Sequence, residues 1–159
     1  MLEIERKFLL KEEDDSWRAK ASRKCDVLQG YLALGAATVR VRIQDGKAIL
    51  CIKGHTRGIT RSEFEYPIPL QDAQAMLMEL CRGRIVTKTR YYVPAAEAGM
   101  TWEIDEYHGA FEGHHTAEIE LPSEEAAFQR PRWLGKEISD DRRYRNAALA
   151  SEQRWPTEE

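Results

Sequence analysis

The feature that most constrains this chain is alternation. Segments near 2–10, 27–33, 38–43, 47–53, 61–67, 84–93, 101–108 and 116–121 run with a period of two, the pattern of β-strands rather than helices. Pro67, Pro69, Pro94 and Pro122 close four of them, as befits a residue that cannot donate to a ladder. Between Asp72 and Arg82, Ala73, Met76, Leu77 and Leu80 recur at helical spacing, with Gly83 beyond, which predicts a helix with one apolar stripe. Ser139, followed by Asp140 and Asp141, predicts the cap of a final helix over about 139–150. Segments 11–22 and 123–128 read as short helices or turns. Eight short strands with hairpin-length links give a mainly β (α+β) expectation: one domain over 1–159, an eight-stranded antiparallel sheet closed into a barrel with flanking helices. An open, strongly bent sheet has the same periodicity.

The strand faces sort by charge. Glu3, Glu5 and Lys7 share one side of the first strand, while Leu2, Ile4 and Phe8 share the other, with Arg6 the exception. Arg40 and Arg42 alternate with Val39, Val41 and Ile43, Glu103 and Asp105 with Trp102 and Ile104, and Glu118 and Glu120 with Ile119 and Leu121. Arg61, Glu63 and Glu65 alternate with Phe64 and Tyr66, and Lys88 and Arg90 form another pair. Asp45-Gly46 is a two-residue hairpin signal that fixes a register summing to 91, so Thr38 faces Lys53 and Arg40 faces Cys51. Lys53 thereby joins Arg40 and Arg42. One face collects eight acids and seven bases with hardly a neutral polar residue among them. Such a face is either the solvated side of a half-exposed sheet or the lining of a closed barrel. Like charges side by side are destabilising without a purpose, and the helix near 72–82 needs an apolar surface to cover, which the outside of a barrel offers.

A charged lining has a definite chemistry. Clustered carboxylates are hard ligands for Mg2+ or Mn2+, and clustered Arg and Lys suit phosphate oxygens. Both together fit a metal-bound polyphosphate, whose transfer chemistry rests on positioning and charge neutralisation. No G-x-x-x-x-G-K-[ST] run is present to cradle a nucleotide. With 24 basic against 27 acidic residues and a net charge of −3, overall basicity does not draw this chain to nucleic acid, and the aromatics are expected opposite the charges. No apolar run approaches the ~20 residues of a membrane span, and Met1 leads at once into the charged strand, so a cytoplasmic protein with no membrane partner is expected. Cys25, Cys51 and Cys81 lack disulfide or C-x-x-C spacing. His114 and His115, being adjacent, point apart in an extended segment.

Glu3-Ile4-Glu5-Arg6-Lys7 is an E-x-E-x-K motif that resembles the signature of the CYTH family, the triphosphate tunnel metalloenzymes. The resemblance continues in order through Gln29-Gly30-Tyr31-Leu32, Arg40 and Arg42, Ile52-Lys53, Arg61-Ser62-Glu63-Phe64-Glu65, Lys88-Thr89-Arg90-Tyr91, Glu103-Ile104-Asp105 and Glu118-Ile119-Glu120. It ends in a tail running from Trp133-Leu134-Gly135 through Asp141, Tyr144, Asn146 and Leu149. It implies an eight-stranded tunnel that binds a triphosphate with divalent metal. By position, Glu3, Glu5, Glu118 and Glu120 would ligate Mg2+ or Mn2+. Lys7, Arg40, Arg42, Lys53, Arg61, Lys88 and Arg90 would grip phosphates. Glu63, Glu65 and Asp105 would serve a second metal or the attacking water, and Lys7 with Tyr31 would form a catalytic pair; Tyr31 equally suits plain packing after Gly30. The implied activity is hydrolysis of the terminal phosphoanhydride of a linear triphosphate, above all inorganic tripolyphosphate, by a monomer or homodimer. Thiamine triphosphate or nucleotide hydrolysis, cyclisation of ATP and non-catalytic polyphosphate binding are the alternatives. Loop 54–60 reads either as a lid or as an ordinary hairpin loop.

Overall fold

The structure, a computed structural model, describes residues 1–157. Its strands are β1 (Leu2–Leu10), β2 (Arg23–Leu34), β3 (Thr38–Gln44), β4 (Lys47–Lys53), β5 (Thr60–Ile68), β6 (Ile85–Pro94), β7 (Thr101–Tyr107), β8 (His115–Glu120) and β9 (Leu134–Glu137). The helices are α1 (Trp17–Lys20), α2 (Leu70–Glu79) and α3 (Asn146–Glu152). Neighbours run β5-β4-β3-β2-β6-β7-β8-β1, and a β5–β1 pairing closes the antiparallel ring, with β9 added outside on β1. The closed eight-stranded barrel is therefore present. Its closing seam is short: β1 pairs β5 only through Leu2, Ile4 and Glu3, and β9 takes up the end of β1 from Phe8 to Leu10.

The β3–β4 hairpin has the register expected from Asp45-Gly46, with Thr38 opposite Lys53 and Arg40 opposite Cys51. Asp45 and Gly46 both adopt positive φ, at 54° and 70°, as a type I′ turn requires. Charged residues face the lumen, so the hydrophobic core lies outside the barrel. On β1, β6, β7 and β8 the outward residues Phe8, Tyr91, Val93, Trp102, Ile104 and Ile119 are covered by Trp17 of α1 and by Trp133 and Leu134. Helix α2 lays Ala73 and Leu77 on Val41, Ala48 and Cys81, the apolar seat its stripe demanded. Arg6, the exception on the apolar side of β1, pairs Nε with Glu137 at 2.8 Å and lies 5.0 Å from the Phe128 ring, so its charge is met by β9 while its stem packs.

Two expectations need correction. Ser139 does not cap a helix: its hydroxyl accepts from the Lys7 amide at 2.9 Å and donates to Glu137 at 2.7 Å. The chain instead makes a 3-10 turn at Arg142–Tyr144, capped by the Asp141 carboxylate, and α3 begins only at Asn146. The aromatics also do not all stand opposite the charges, because Tyr31, Tyr92 and Tyr107 share their strand faces with lumen residues: Tyr31 lies opposite Arg40, Tyr92 opposite Glu103 and Tyr107 opposite Lys88. Residues 123–128 form turns without a regular helix.

Helix α2 rests so closely on β2 that a Cβ on Gly30 would come within 2.7 Å of both Cys81 Cβ and Leu77 Cδ2. Gly30→Ala is expected to cost about 1–3 kcal/mol by overpacking, read as a lower thermal unfolding midpoint of about 2–4 °C per kcal/mol. An unchanged midpoint would show that α2 is not held at this distance.

Candidate active site

A cavity of about 360 Å³ runs into the barrel. Thirteen of the expected site residues line it: Glu3, Glu5, Lys7, Tyr31, Arg40, Arg42, Lys53, Arg61, Glu63, Glu65, Arg90 and, from β8, Glu118 and Glu120. Two do not. Lys88 and Asp105 lie beneath the wall, about 1% exposed, bonded to each other at 2.7 Å. Asp105 also takes Arg90 Nε at 2.8 Å, and Lys88 donates to Asn146 Oδ1 at 3.1 Å. One carboxylate thus serves two buried cations. Against its own burial, Arg90 and Lys88 hold Asp105 far below the usual carboxylate range. Lys88 is the surplus cation: burial, helped by Arg90 and Arg42 and opposed by Asp105, brings it down to about 7.

The acids along β1 and β8 are crowded by one another. Glu5 stands directly opposite Glu120, and Glu118 opposite Glu103. Burial, then Glu118 and Glu3, push Glu5 well above the ordinary range. Burial and contact with Glu63 push Glu3 up too, although Lys53 reaches it at 3.0 Å. Glu118 differs because Lys7 lies 3.3 Å away: against burial, Lys7 and Arg90 bring it to about 2. The sulfur of Cys51 and the carboxylates of Glu63 and Glu65 come within 4.8 Å of one another, a convergence of donor atoms that could hold a cation.

The bases of β3 have the opposite problem. Arg40 is buried, its Nε has no hydrogen-bond partner, and among the described residues neither Arg40 nor Arg42 makes an ion pair. Arg42 donates only to Gln29 Oε1, at 3.2 Å. Its burial and the charges of Arg40 and Arg90 lower it to about 10. A buried cation without a counter-ion is costly, so these two are poised for an anion.

Lys7 and Tyr31 share the cavity, but among the described residues no hydrogen bond joins them: Lys7 Nζ donates to the Tyr144 carbonyl at 2.8 Å, and Tyr31 accepts from Gln29 at 3.0 Å. The phenol that bears on Lys7 is Tyr107, which with Glu118 and Glu5 keeps the ammonium protonated against its burial. Sequence reasoning missed Tyr107, although it continues the face of Glu103 and Asp105. It also missed Ser139, Asp141, Arg142, Arg145 and Asn146, which reach the wall from a segment without periodicity. Thr56, Gly58 and Ile59 of loop 54–60 line the cavity, and a tight turn joins Arg57 and Thr60 at 2.7 Å.

Removing the shared acid should strand the buried Lys88 and leave Arg90 only its ion pair with Glu103. Asp105→Asn is expected to lower urea-unfolding stability by about 3–5 kcal/mol, and adding Lys88→Met should restore part of it by removing the surplus charge. Equal stability of Asp105→Asn and wild type would show that this trio is not the buried anchor described.

The CYTH domain family profile matches residues 1–154. The chain is 41% identical over 150 residues to an inorganic triphosphatase of Acetivibrio thermocellus, covering 92% of each, and 34% identical over 153 residues to an inorganic triphosphatase of Nitrosomonas europaea, covering 94% of this chain and 97% of that one. A crystal structure of an inorganic triphosphatase superposes with a TM-score of 0.63 at 32% identity, covering 93% of this chain and 97% of the other. A structure from Pyrococcus horikoshii, at 20% identity and a TM-score of 0.58, shares the fold. Ordered motifs, a closed barrel with a charged lumen and a match over nearly the whole length agree: the chain belongs to the CYTH domain family.

Proposed function

We propose that this protein hydrolyses the terminal phosphoanhydride of inorganic tripolyphosphate with a divalent cation. One observation carries the reading: within a single cavity and among the described residues, Arg40 and Arg42 make no ion pair with an acid and Glu5 and Glu120 none with a base. A metal-bound polyanion neutralises both at once. The relatives named as inorganic triphosphatases support the same substrate.

The residues fit a hard divalent metal. Glu3, Glu5, Glu118 and Glu120 supply oxygen donors whose mutual repulsion a cation relieves, and Glu63 and Glu65 with Cys51 form a second candidate set. When bound, the metal, Mg2+ or Mn2+, would neutralise phosphate charge and favour attack at phosphorus. This chain's own residues do the rest. Arg40 and Arg42 bind phosphate oxygens, with Lys53 and Arg90 beside them. Lys7, held protonated, stabilises the charge that develops on the bridging oxygen of the leaving pyrophosphate. Glu63 or Glu65 orients the attacking water and accepts its proton. Asp105 and Lys88 act from below, fixing the Arg90 guanidinium. Tyr31 positions Gln29, and through it Arg42. A cytoplasmic setting and a free polyphosphate as partner, with neither nucleic acid nor membrane, complete the proposal; among the described residues no helix is long and apolar enough to cross a membrane.

Phosphate release is measured from tripolyphosphate, ATP, thiamine triphosphate and pyrophosphate, with Mg2+ or Mn2+ and with EDTA. Tripolyphosphate is expected to be the best substrate and EDTA to abolish turnover. Arg40→Ala should raise KM about 10-fold or more, the worth of one charge-assisted hydrogen bond. Glu5→Gln should remove most activity, yet raise the unfolding midpoint in EDTA, because a repelled buried carboxylate is gone. Activity indifferent to EDTA would sink the proposal, and cyclic AMP from ATP would move the protein to the cyclase alternative.

A further inference from the structure

The cavity's basic side chains fall into two groups. Arg40, Arg42 and Arg90 bear on one another. Arg61 of β5 and Arg142 and Arg145 of the segment before α3 form the second group, all on the cavity wall. Arg145 is partly buried and lies within range of the charges of Arg61 and Arg142 and of the Glu5 carboxylate. Neither Arg142 nor Arg145 makes an ion pair among the described residues, and Arg61 has only Glu3 at 3.8 Å, a carboxylate that Lys53 already holds at 3.0 Å. The nearby Asp141 carboxylate is taken by Arg143 at 2.7 Å.

This segment is fastened in place. The Ile138 amide donates to the Lys7 carbonyl at 2.8 Å, Lys7 Nζ to the Tyr144 carbonyl at 2.8 Å, and Lys88 to Asn146. The fold therefore presents three like charges to one cavity, and among the described residues only Arg61 has an ion pair, a long one to a carboxylate already held by Lys53. The second group borders the acids of β1: Arg61 stands across from Glu3, and the Glu5 carboxylate acts on Arg145. One cavity with two groups of bases and a set of acids suits a substrate that has an anionic group at each end and binds metal. The apolar wall residues are Ile59, Ile138, Ala147 and Ala148, and the one aromatic ring among the lining residues, Tyr31, is 3% exposed.

We propose that Arg142 and Arg145, with Arg61, hold the second terminal phosphate of the substrate and so select a triphosphate free at both ends over one esterified at its α-phosphate. The proposal rests on the triphosphatase reading above. An ester at that position removes one charge and brings a bulky group into the arginine cluster, so discrimination arises as a difference of two affinities.

The test uses the full chain and Arg142→Gln, Arg145→Gln, the double variant and Arg145→Lys. kcat/KM for tripolyphosphate and for ATP is measured with Mg2+, and calorimetric affinity for each is measured in EDTA, where no turnover intervenes. The double variant is expected to lose about 10- to 100-fold for tripolyphosphate in both measurements, one to two charge-assisted contacts, and far less for ATP, while Arg145→Lys retains most of the preference. Parallel losses for both ligands, or no loss, would overturn the proposal. If wild type does not cleave tripolyphosphate, the triphosphatase reading fails, and the affinity ratio in EDTA still decides the two-ended grip on its own.

Discussion

Charge held inside a closed wall is the constraint from which the rest of this structure follows. Two unit charges 4 Å apart interact by about 1 kcal/mol in water and about 4 kcal/mol at an effective dielectric near 20, so each lumen residue feels its neighbours several times more strongly than a surface residue would. The shifts at Glu5, Arg42 and Lys88 all begin with burial and are then set by the neighbours. A barrel that fills its interior with ionisable groups loses the usual place for its hydrophobic core. The apolar residues must be buried on the outside, under α1, α2 and the segment that ends in β9. Trp102 shows how completely this is done: it faces away from the lumen and is 1% exposed, edge-on to Phe8, Phe128 and Trp133.

The same constraint explains the C-terminal segment. Two buried lysines, Lys7 and Lys88, have more donor capacity than the barrel satisfies, and the segment brings the Tyr144 carbonyl and the Asn146 amide oxygen to them. Leu149 and Ala150 of α3 then pack with Tyr31, Val86, Tyr107 and Phe111, and Trp155 stacks on His114 with ring centroids 4.3 Å apart. The segment is thus held both by polar contacts to Lys7 and Lys88 and by packing of the seven-residue α3 against aromatic rings that include the lumen-side Tyr31 and Tyr107.

Most of the barrel was legible in the sequence because period two is a direct image of a wall with two unlike faces. The β3–β4 register followed from two residues, Asp45 and Gly46, since a two-residue turn leaves no freedom to slip. What stayed hidden has physical reasons. The four residues of β9, Leu-Gly-Lys-Glu, are too few to show alternation, and their pairing depends on Gly135, where a Cβ would meet the Leu9 carbonyl at 2.8 Å. Ser139 looked like a helix cap because capping and accepting a strand amide use the same hydroxyl, and only the tertiary neighbour Lys7 decides between them. Lys88 and Asp105 alternate like the cavity-lining residues, but periodicity reports the face and not the depth, so their place beneath the wall was not readable.

Register also decides which charges remain available. Oppositely charged residues set across from each other would neutralise the lumen and leave it inert, as happens locally where Lys53 meets Glu63 and Arg90 meets Asp105. Arg40, by contrast, is flanked across its two ladders by Tyr31 and Cys51, and Arg42 by Gln29 and Ile49. None of the four neighbours is a carboxylate. On the other side of the barrel Glu5 faces Glu120 and Glu103 faces Glu118, acid against acid. The pairing thus leaves Arg40 and Arg42 with no acid across from them and Glu5 and Glu120 with no base, at a cost to the fold that a carboxylate at position 51 would reduce by pairing with Arg40. That the chain carries a small, buried thiol there is what leaves the guanidinium without an ion pair across this ladder, as the proposed phosphate-binding role requires.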